Sequence, residues 1–178
     1  VALPAGIVSS DCDLLCRPES AYPGRDRPPF VCGSRCSGMG FHTFDADQAA
    51  RLEDPDRYRW VSSEELVGAV AAADAAVVAD LGSGTGFYTD DVAPHVGTVY
   101  GVDVKPEMHA AYRDKGVPAN VDLVESDVAE LPFETGGLDA AFSTATFHEF
   151  ASDAAAAEIA RVLRADGRLA VFDWAADG

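Results

Sequence analysis

The stretch Val77-Val78-Ala79-Asp80-Leu81-Gly82-Ser83-Gly84-Thr85-Gly86-Phe87-Tyr88 decides the fold. It starts as a short apolar run with β-branched residues, the pattern of a buried strand, and that run ends on an acidic residue. Gly-x-Gly-x-Gly follows at once, a tight loop that should open a helix. Glycines there let the backbone turn sharply and let a ligand approach the main chain without interference from a Cβ. Strand, glycine loop and helix in that order read as a cofactor loop.

Outward from this loop, strand and helix patterns alternate. Ahead of it, Ser62 or Ser63 with Glu64 and Glu65 should start a helix to about Ala73, with Leu66, Val67 and Val70 as its apolar stripe. Arg57-Tyr58-Arg59-Trp60 reads as connector, and Asp45-x-x-Gln48 as a capping box for a short helix to about Leu52. Phe44, Tyr58 and Trp60 are expected to pack against the sheet. After the loop, a helix should run through Asp91 and end before Pro94. A second strand over Thr98 to Val102 delivers Asp103, and a helix over Glu107 to Lys115 follows. Val121 to Glu125 and Leu138 to Ser143 read as the third and fourth strands. Asp153 to Leu163 reads as a helix with Gly167 just past its end, and Arg168 to Trp174 as a fifth strand. The alternation implies an α/β fold built on a doubly wound parallel sheet. In such a sheet the ligand lies outside the carboxyl ends of the strands.

Composition narrows the function. A chain of 178 residues suits one domain with a real core. No apolar run approaches a bilayer span and no signal-peptide series is present, so a soluble, cytoplasmic protein without membrane contact is expected. The formal charge is −17, from 30 acidic against 13 basic residues. Such an excess repels phosphates, and no nucleic-acid partner is expected. Aspartate outnumbers glutamate two to one and lysine is nearly absent, a composition suited to a high-salt, halophilic cytoplasm where salt screens self-repulsion.

The first 38 residues differ from the rest. They carry no net charge, all four cysteines and half of the prolines, and show no sustained period. Cys12-x3-Cys16 and Cys32-x3-Cys36 could offer four thiolates to zinc. The usual knuckle spacing is Cys-x2-Cys, so residues 1–38 read as an irregular N-terminal extension, and no metal site is expected. Residues 39–178 read as the functional domain.

The cofactor is decided by charge. A dinucleotide loop keeps its helix N-terminus for a pyrophosphate, whereas Asp80 sits two residues before the first glycine and would repel one. S-adenosylmethionine has no phosphate and carries a sulfonium and an ammonium, so an acidic loop suits it. Asp80-Leu81-Gly82-Ser83-Gly84-Thr85-Gly86 resembles the first motif of class I S-adenosylmethionine-dependent methyltransferases. The resemblance extends over about residues 76–174. It implies a Rossmann-like sheet of the methyltransferase type, S-adenosylmethionine as cofactor, and roles for particular residues. Asp80, Gly82, Ser83, Gly84 and Gly86 would form the loop, Asp80 neutralising the ammonium. Asp103 would accept from both ribose hydroxyls, with Val104 beside it. Asp127 would accept from the adenine amino group, Val128 would offer its N–H to the ring, and Ser143 would hold the methionine moiety.

The acceptor side follows the fourth strand, at Phe147-His148-Glu149-Phe150. His148 is the candidate general base or substrate contact, with Glu149 second, and Tyr88 is a weaker candidate for lining the pocket. Residues 39–178 hold no cysteine, which argues against arsenite-type methylation. Ser143-Thr144-Ala145-Thr146 stands where an Asn-Pro-Pro-Tyr-like tetrapeptide would mark amino-group methylation of adenine or glutamine. What remains is similar to the small-molecule group that includes quinone-biosynthesis C-methyltransferases, so a small-molecule acceptor is expected. The family sheet carries seven strands, and this pattern provides five. The domain therefore reads as lacking the last two strands, with Leu169-Ala170-Val171-Phe172 as an apolar edge that a homodimer could cover. A zinc-bearing RNA methyltransferase and a non-catalytic S-adenosylmethionine-binding or partner-binding module are the alternatives. A nicotinamide enzyme is remote.

Overall fold

A computed structural model describes residues 51–71 and 76–174. Five strands, β1 (Val77–Leu81), β2 (Thr98–Asp103), β3 (Val121–Glu125), β4 (Leu138–Thr144) and β5 (Leu163–Phe172), form one sheet in the order β3-β2-β1-β4-β5. Every pairing is parallel. The helices are α1 (Ser63–Val70), α2 (Phe87–Val92), α3 (Pro106–Lys115), α4 (Phe147–Phe150) and α5 (Asp153–Val162). The chain order reverses beside β1, which opens a crevice at the carboxyl ends of β1 and β4. This is the doubly wound α/β sheet expected from the alternation.

β1 is central because both of its faces are buried. Val78 faces a core shared with Leu66 and Val70 of α1, Tyr88 and Val92 of α2, and Tyr112 of α3. Ala79 and Leu81 face a second core, with Val102, Ala141, and Ala155, Ile159 and Val162 of α5. Burial on both sides explains why the strand reads as a continuous apolar run rather than an alternating one. α1 starts as expected. Ser62 accepts from the Glu65 N–H at 3.2 Å while Glu65 accepts from the Ser62 N–H at 3.0 Å, so two otherwise unpaired donors are satisfied.

Gly68 lies within α1 with nothing within 4 Å of where a Cβ would stand. Gly68→Ala is expected to raise stability by about 0.5–1 kcal/mol, because alanine loses less backbone freedom on entering a helix. Urea unfolding would register this as a higher midpoint with an unchanged slope.

Four expectations need correction. Residues Pro55–Arg59 are a 3-10 turn, not a connector, since Asp54 caps it by accepting from the Asp56 N–H at 2.9 Å and proline sets the first helical dihedral. Tyr58 and Trp60 stand on the surface rather than against the sheet. The Tyr58 hydroxyl donates to Asp91 at 2.9 Å and its ring lies 4.9 Å from that of Phe87. β5 begins at Leu163, directly after α5, and Gly167 falls inside it. Leu138 pairs with Leu163 but Ala140 pairs with Arg168, so residues 164–167 bulge out of the ladder. A Cβ on Gly167 would meet the Arg164 carbonyl oxygen at 2.9 Å, so this glycine serves the bulge and not a helix end. The fourth, Tyr88, belongs with the site below.

β5 is the edge strand of the described sheet, and Leu169 and Val171 are 43% and 40% exposed there. Among the described residues, no helix is long and apolar enough to cross a membrane. Cys12, Cys16, Cys32 and Cys36, the whole 1–38 extension, Phe44 and the Asp45–Gln48 capping box lie outside the described residues.

Candidate cofactor and acceptor site

The glycine loop hangs from the end of β1 and is held over β2. The N–H groups of Gly82 and Ser83 both donate to the Val102 carbonyl at 2.9 Å. Asp103 accepts from the Gly84 N–H at 2.8 Å through one oxygen and from the Lys105 N–H at 2.9 Å through the other. Two glycines are required on steric grounds. Gly82 (φ 81°) would place a Cβ 2.5 Å from Thr146 Cγ2, and Gly86 (φ 80°) would place one 2.1 Å from the Tyr112 ring. The loop is thus packed from both sides, by the segment after β4 and by α3.

Within it, polar atoms are buried without partners. Asp80 is 2% exposed; its Oδ2 accepts from the Thr89 hydroxyl at 2.6 Å, and its Oδ1 has no hydrogen-bond partner. Burial pushes its pKa up to about 7, and Asp103 adds to the rise, while Thr89 and Arg57 oppose it. The hydroxyls of Ser83 and Ser143 are also buried and unpartnered. Buried polar atoms are almost always satisfied, so three such oxygens at the ends of β1 and β4 mark a place where a ligand supplies the missing hydrogen bonds. An ammonium donates hydrogen bonds and carries the positive charge that Asp80 needs. S-adenosylmethionine fits this donor set, and a pyrophosphate does not.

The other expected residues occupy neighbouring strand ends. Val104 follows Asp103 and is 52% exposed, an apolar surface beside the loop. Asp127 is exposed after β3; its Oδ1 accepts from the Ala129 N–H at 2.8 Å and caps the turn Val128–Glu130. Val128 is the first residue of that turn, where an N–H has no partner within the turn itself. Asp103 is thus bonded to the glycine loop, Asp80 and Ser143 lie near the ends of β1 and β4, and Val104, Asp127 and Val128 follow the ends of β2 and β3. His148 and Glu149 lie on α4, directly after Thr146, the residue that touches Gly82.

Three features were not legible in the sequence. His148 is paired with Asp173 at the end of β5, its Nδ1 lying 2.9 Å from one carboxylate oxygen and 3.0 Å from the other. The local signal was an acid at the carboxyl end of a strand: Asp173 directly follows β5, as Asp103 ends β2 and Asp127 stands two residues past β3. Next, Leu52 and Glu53 form a strap over the glycine loop. Glu53 accepts from the Thr85 hydroxyl and pairs with Lys115 at 3.2 Å, and Lys115 pairs with Asp90 at 2.8 Å. Finally, Tyr88 does not line the pocket. It is buried, and its hydroxyl donates to the Arg57 carbonyl at 3.0 Å, beneath an Arg57 guanidinium 4.7 Å from its ring. That contact ties the strap's 3-10 turn to α2.

Residues 79–171 match the family described as a methyltransferase domain. The chain belongs to this family. The methyltransferase domain is 35% identical over 132 residues to the uncharacterized methyltransferase-like protein C25B8.10 of Schizosaccharomyces pombe, covering 72% of this chain and 49% of that protein. It is 37% identical over 98 residues to the demethylmenaquinone methyltransferase of Corynebacterium kroppenstedtii, covering 54% and 41%. Among solved structures it is similar to an S-adenosylmethionine-dependent methyltransferase from Aquifex aeolicus, with a TM-score of 0.68, 29% identity and 74% of each chain covered. The chain spans about half the length, or less, of these curated relatives. S-adenosylmethionine is the cofactor of this methyltransferase domain, in agreement with the donor set that its buried oxygens require.

Proposed function

We propose that the domain transfers the methyl group of S-adenosylmethionine to a small-molecule acceptor. The carrying observation is the buried Asp80 Oδ1 without a partner; the Ser83 and Ser143 hydroxyls, past the end of β1 and near the end of β4, are buried and unpartnered as well. Asp80 would take the ammonium, and Ser143 with the loop Gly82, Ser83, Gly84 and Gly86 the methionine moiety. Asp103 would hold the ribose, Val104 and Val128 the adenine faces and edge, and Asp127 the adenine amino group. When bound, the cofactor would supply an electrophilic methyl carbon on a sulfonium, whose sulfur could leave as a neutral thioether. The chain's own contribution is alignment of that acceptor, which can account for much of the rate of an in-line displacement. A small acceptor is supported by the charge of the rim, where Asp103, Glu125, Asp127, Glu149 and Asp173 follow or end successive strands. Such a rim disfavours a polyanion.

The test is calorimetric titration in molar KCl with S-adenosylmethionine, S-adenosylhomocysteine and NAD. The first two are expected to bind saturably and NAD not at all. Asp103→Ala, which removes the ribose acceptor and frees the Gly84 N–H, should weaken binding by about 2 kcal/mol, roughly thirtyfold. A radiolabelled-methyl assay then offers phenols, hydroquinones and tRNA in parallel. Label in tRNA alone would replace the small-molecule reading with an RNA one.

A further inference from the structure

We infer that His148 and Asp173 form a proton-accepting pair for the acceptor, and that the acceptor is therefore one that must lose a proton, an acidic hydroxyl of the phenol or hydroquinone class. This rests on the methyl-transfer reading above and specifies its substrate. The carbonyl end of β4 is where the pair is built. Ala145 there has φ 58°, the only non-glycine residue with positive φ among those described. A side chain in that region is strained and persists only when its surroundings hold it. The holding contacts are present: the Ala145 N–H donates to the Phe172 carbonyl at 2.7 Å, drawing the end of β5 against the end of β4. Asp173, the next residue, accepts from the His148 N–H at 2.8 Å and also engages Nδ1 of the same ring. α4 has only four residues and buries none of them fully, so these contacts, rather than packing, set where the imidazole stands.

The chemistry follows from the partner. An ionised carboxylate only accepts hydrogen bonds, so Nδ1 must carry the N–H, and the neutral ring then presents Nε2 as a lone pair. Thr146, two residues back, lies against Gly82 of the cofactor loop, and His148 itself is exposed. Asp173 raises the affinity of the ring for a proton and Glu149 on α4 adds to this, while burial opposes them. Phe147 and Phe150, edge to face at 5.3 Å on the same helix, put aromatic surface beside it. In the step assigned to the pair, the acceptor O–H bond breaks and its proton goes to Nε2. The bonding pair stays on oxygen as the nucleophile, and the proton leaves to water afterwards. An amine acceptor, whose neutral nitrogen already carries a lone pair, would need no such oriented base.

The full chain is tested with catechol, 1,4-naphthohydroquinone and benzylamine as acceptors, alongside nitrogen-15 NMR of the labelled histidines. The wild type should show His148 as the Nδ1–H tautomer, with a pKa above that of an ordinary histidine. It should also methylate a hydroxyl probe, with kcat/KM rising with pH through that pKa. Asp173→Asn can still accept from the His148 N–H, so it keeps the loop but removes the charge. It should lose the tautomer preference, move the pH limb to lower pH, and lower kcat ten- to hundredfold, with KM and cofactor affinity unchanged. His148→Gln should abolish the limb. An Asp173→Asn variant with unchanged kcat and pH limb would make the pair a structural clasp and overturn the proposal. So would transfer to benzylamine alone, or to no probe by a chain that binds S-adenosylmethionine. A wild-type chain that fails to bind S-adenosylmethionine would instead overturn the methyl-transfer reading beneath it.

Discussion

Gly86→Ala is expected to lower the stability of the domain by about 2–5 kcal/mol, a large share of the roughly 5–15 kcal/mol that holds a typical domain folded. Two costs add. Gly86 has φ 80°, where an L side chain costs about 1–2 kcal/mol. Its Cβ would also lie 2.1 Å from two carbons of the Tyr112 ring. That ring cannot swing aside. Tyr112 is fully buried, its hydroxyl donates to Asp90 at 2.6 Å, and the Lys115 ammonium sits 4.7 Å from the ring centre. Relief must come from the loop or from α3, and forced repacking of this kind costs about 1–3 kcal/mol. Gly116→Ala is the control: φ there is 107°, but nothing lies within 4 Å of the added carbon. Urea midpoints that fell equally for the two variants would show that the Tyr112 contact contributes nothing.

Asp80→Asn should act in opposite directions on the empty and the loaded protein. Burial raises the folded-state pKa of Asp80 to about 7, from the 3.8 of an ordinary aspartate. Between those values the folded chain holds a proton that the unfolded chain has released. Stability therefore falls as pH climbs from about 4 to about 7, by on the order of 4 kcal/mol from this group, and then levels off. Asparagine is neutral throughout. The ligand-free variant should match the wild type near pH 4 and exceed it by a few kcal/mol near pH 8. Cofactor binding should move the other way, because the ionised carboxylate is the proposed partner of the ammonium. Losing one member of a buried charge pair costs about 2–4 kcal/mol, roughly thirtyfold to a thousandfold in Kd. Wild-type affinity should also rise with pH through about 7 and release a proton below it. Urea unfolding and calorimetry at both pH values read all of this. A variant that flattens the pH dependence yet binds S-adenosylmethionine normally would place the ammonium elsewhere.

Local signals carried much of the fold. β3 runs over the expected Val121–Glu125, β2 and β4 are each one residue longer than their apolar patterns, and Ser62 caps α1 through Glu65. Each of these depends on neighbours within a few residues, where period and turn chemistry are written directly. The start of β5 is not legible locally, because Gly167 has two local meanings, helix end or bulge. The choice between them depends on Leu138 and Asp139 across the ladder. The direction of Tyr88 is hidden for a similar reason. Its position after the glycines says that it is near the loop, whereas its direction depends on Arg57, 31 residues away.

By itself, the sequence determined an α/β sheet wound around Val77–Leu81, an acidic glycine loop suited to a sulfonium cofactor, and the carboxylates that close neighbouring strands. Those are properties of short segments, and short segments carry them whatever surrounds them. Tertiary structure alone decided which atoms are left unsatisfied and which side chains meet. It buried Asp80 with one oxygen unpartnered, set Asp173 on the ring of His148, and laid Glu53 across Thr85 to Lys115. Partners that lie 25 to 62 residues apart are chosen by packing, and no period in the chain encodes that choice.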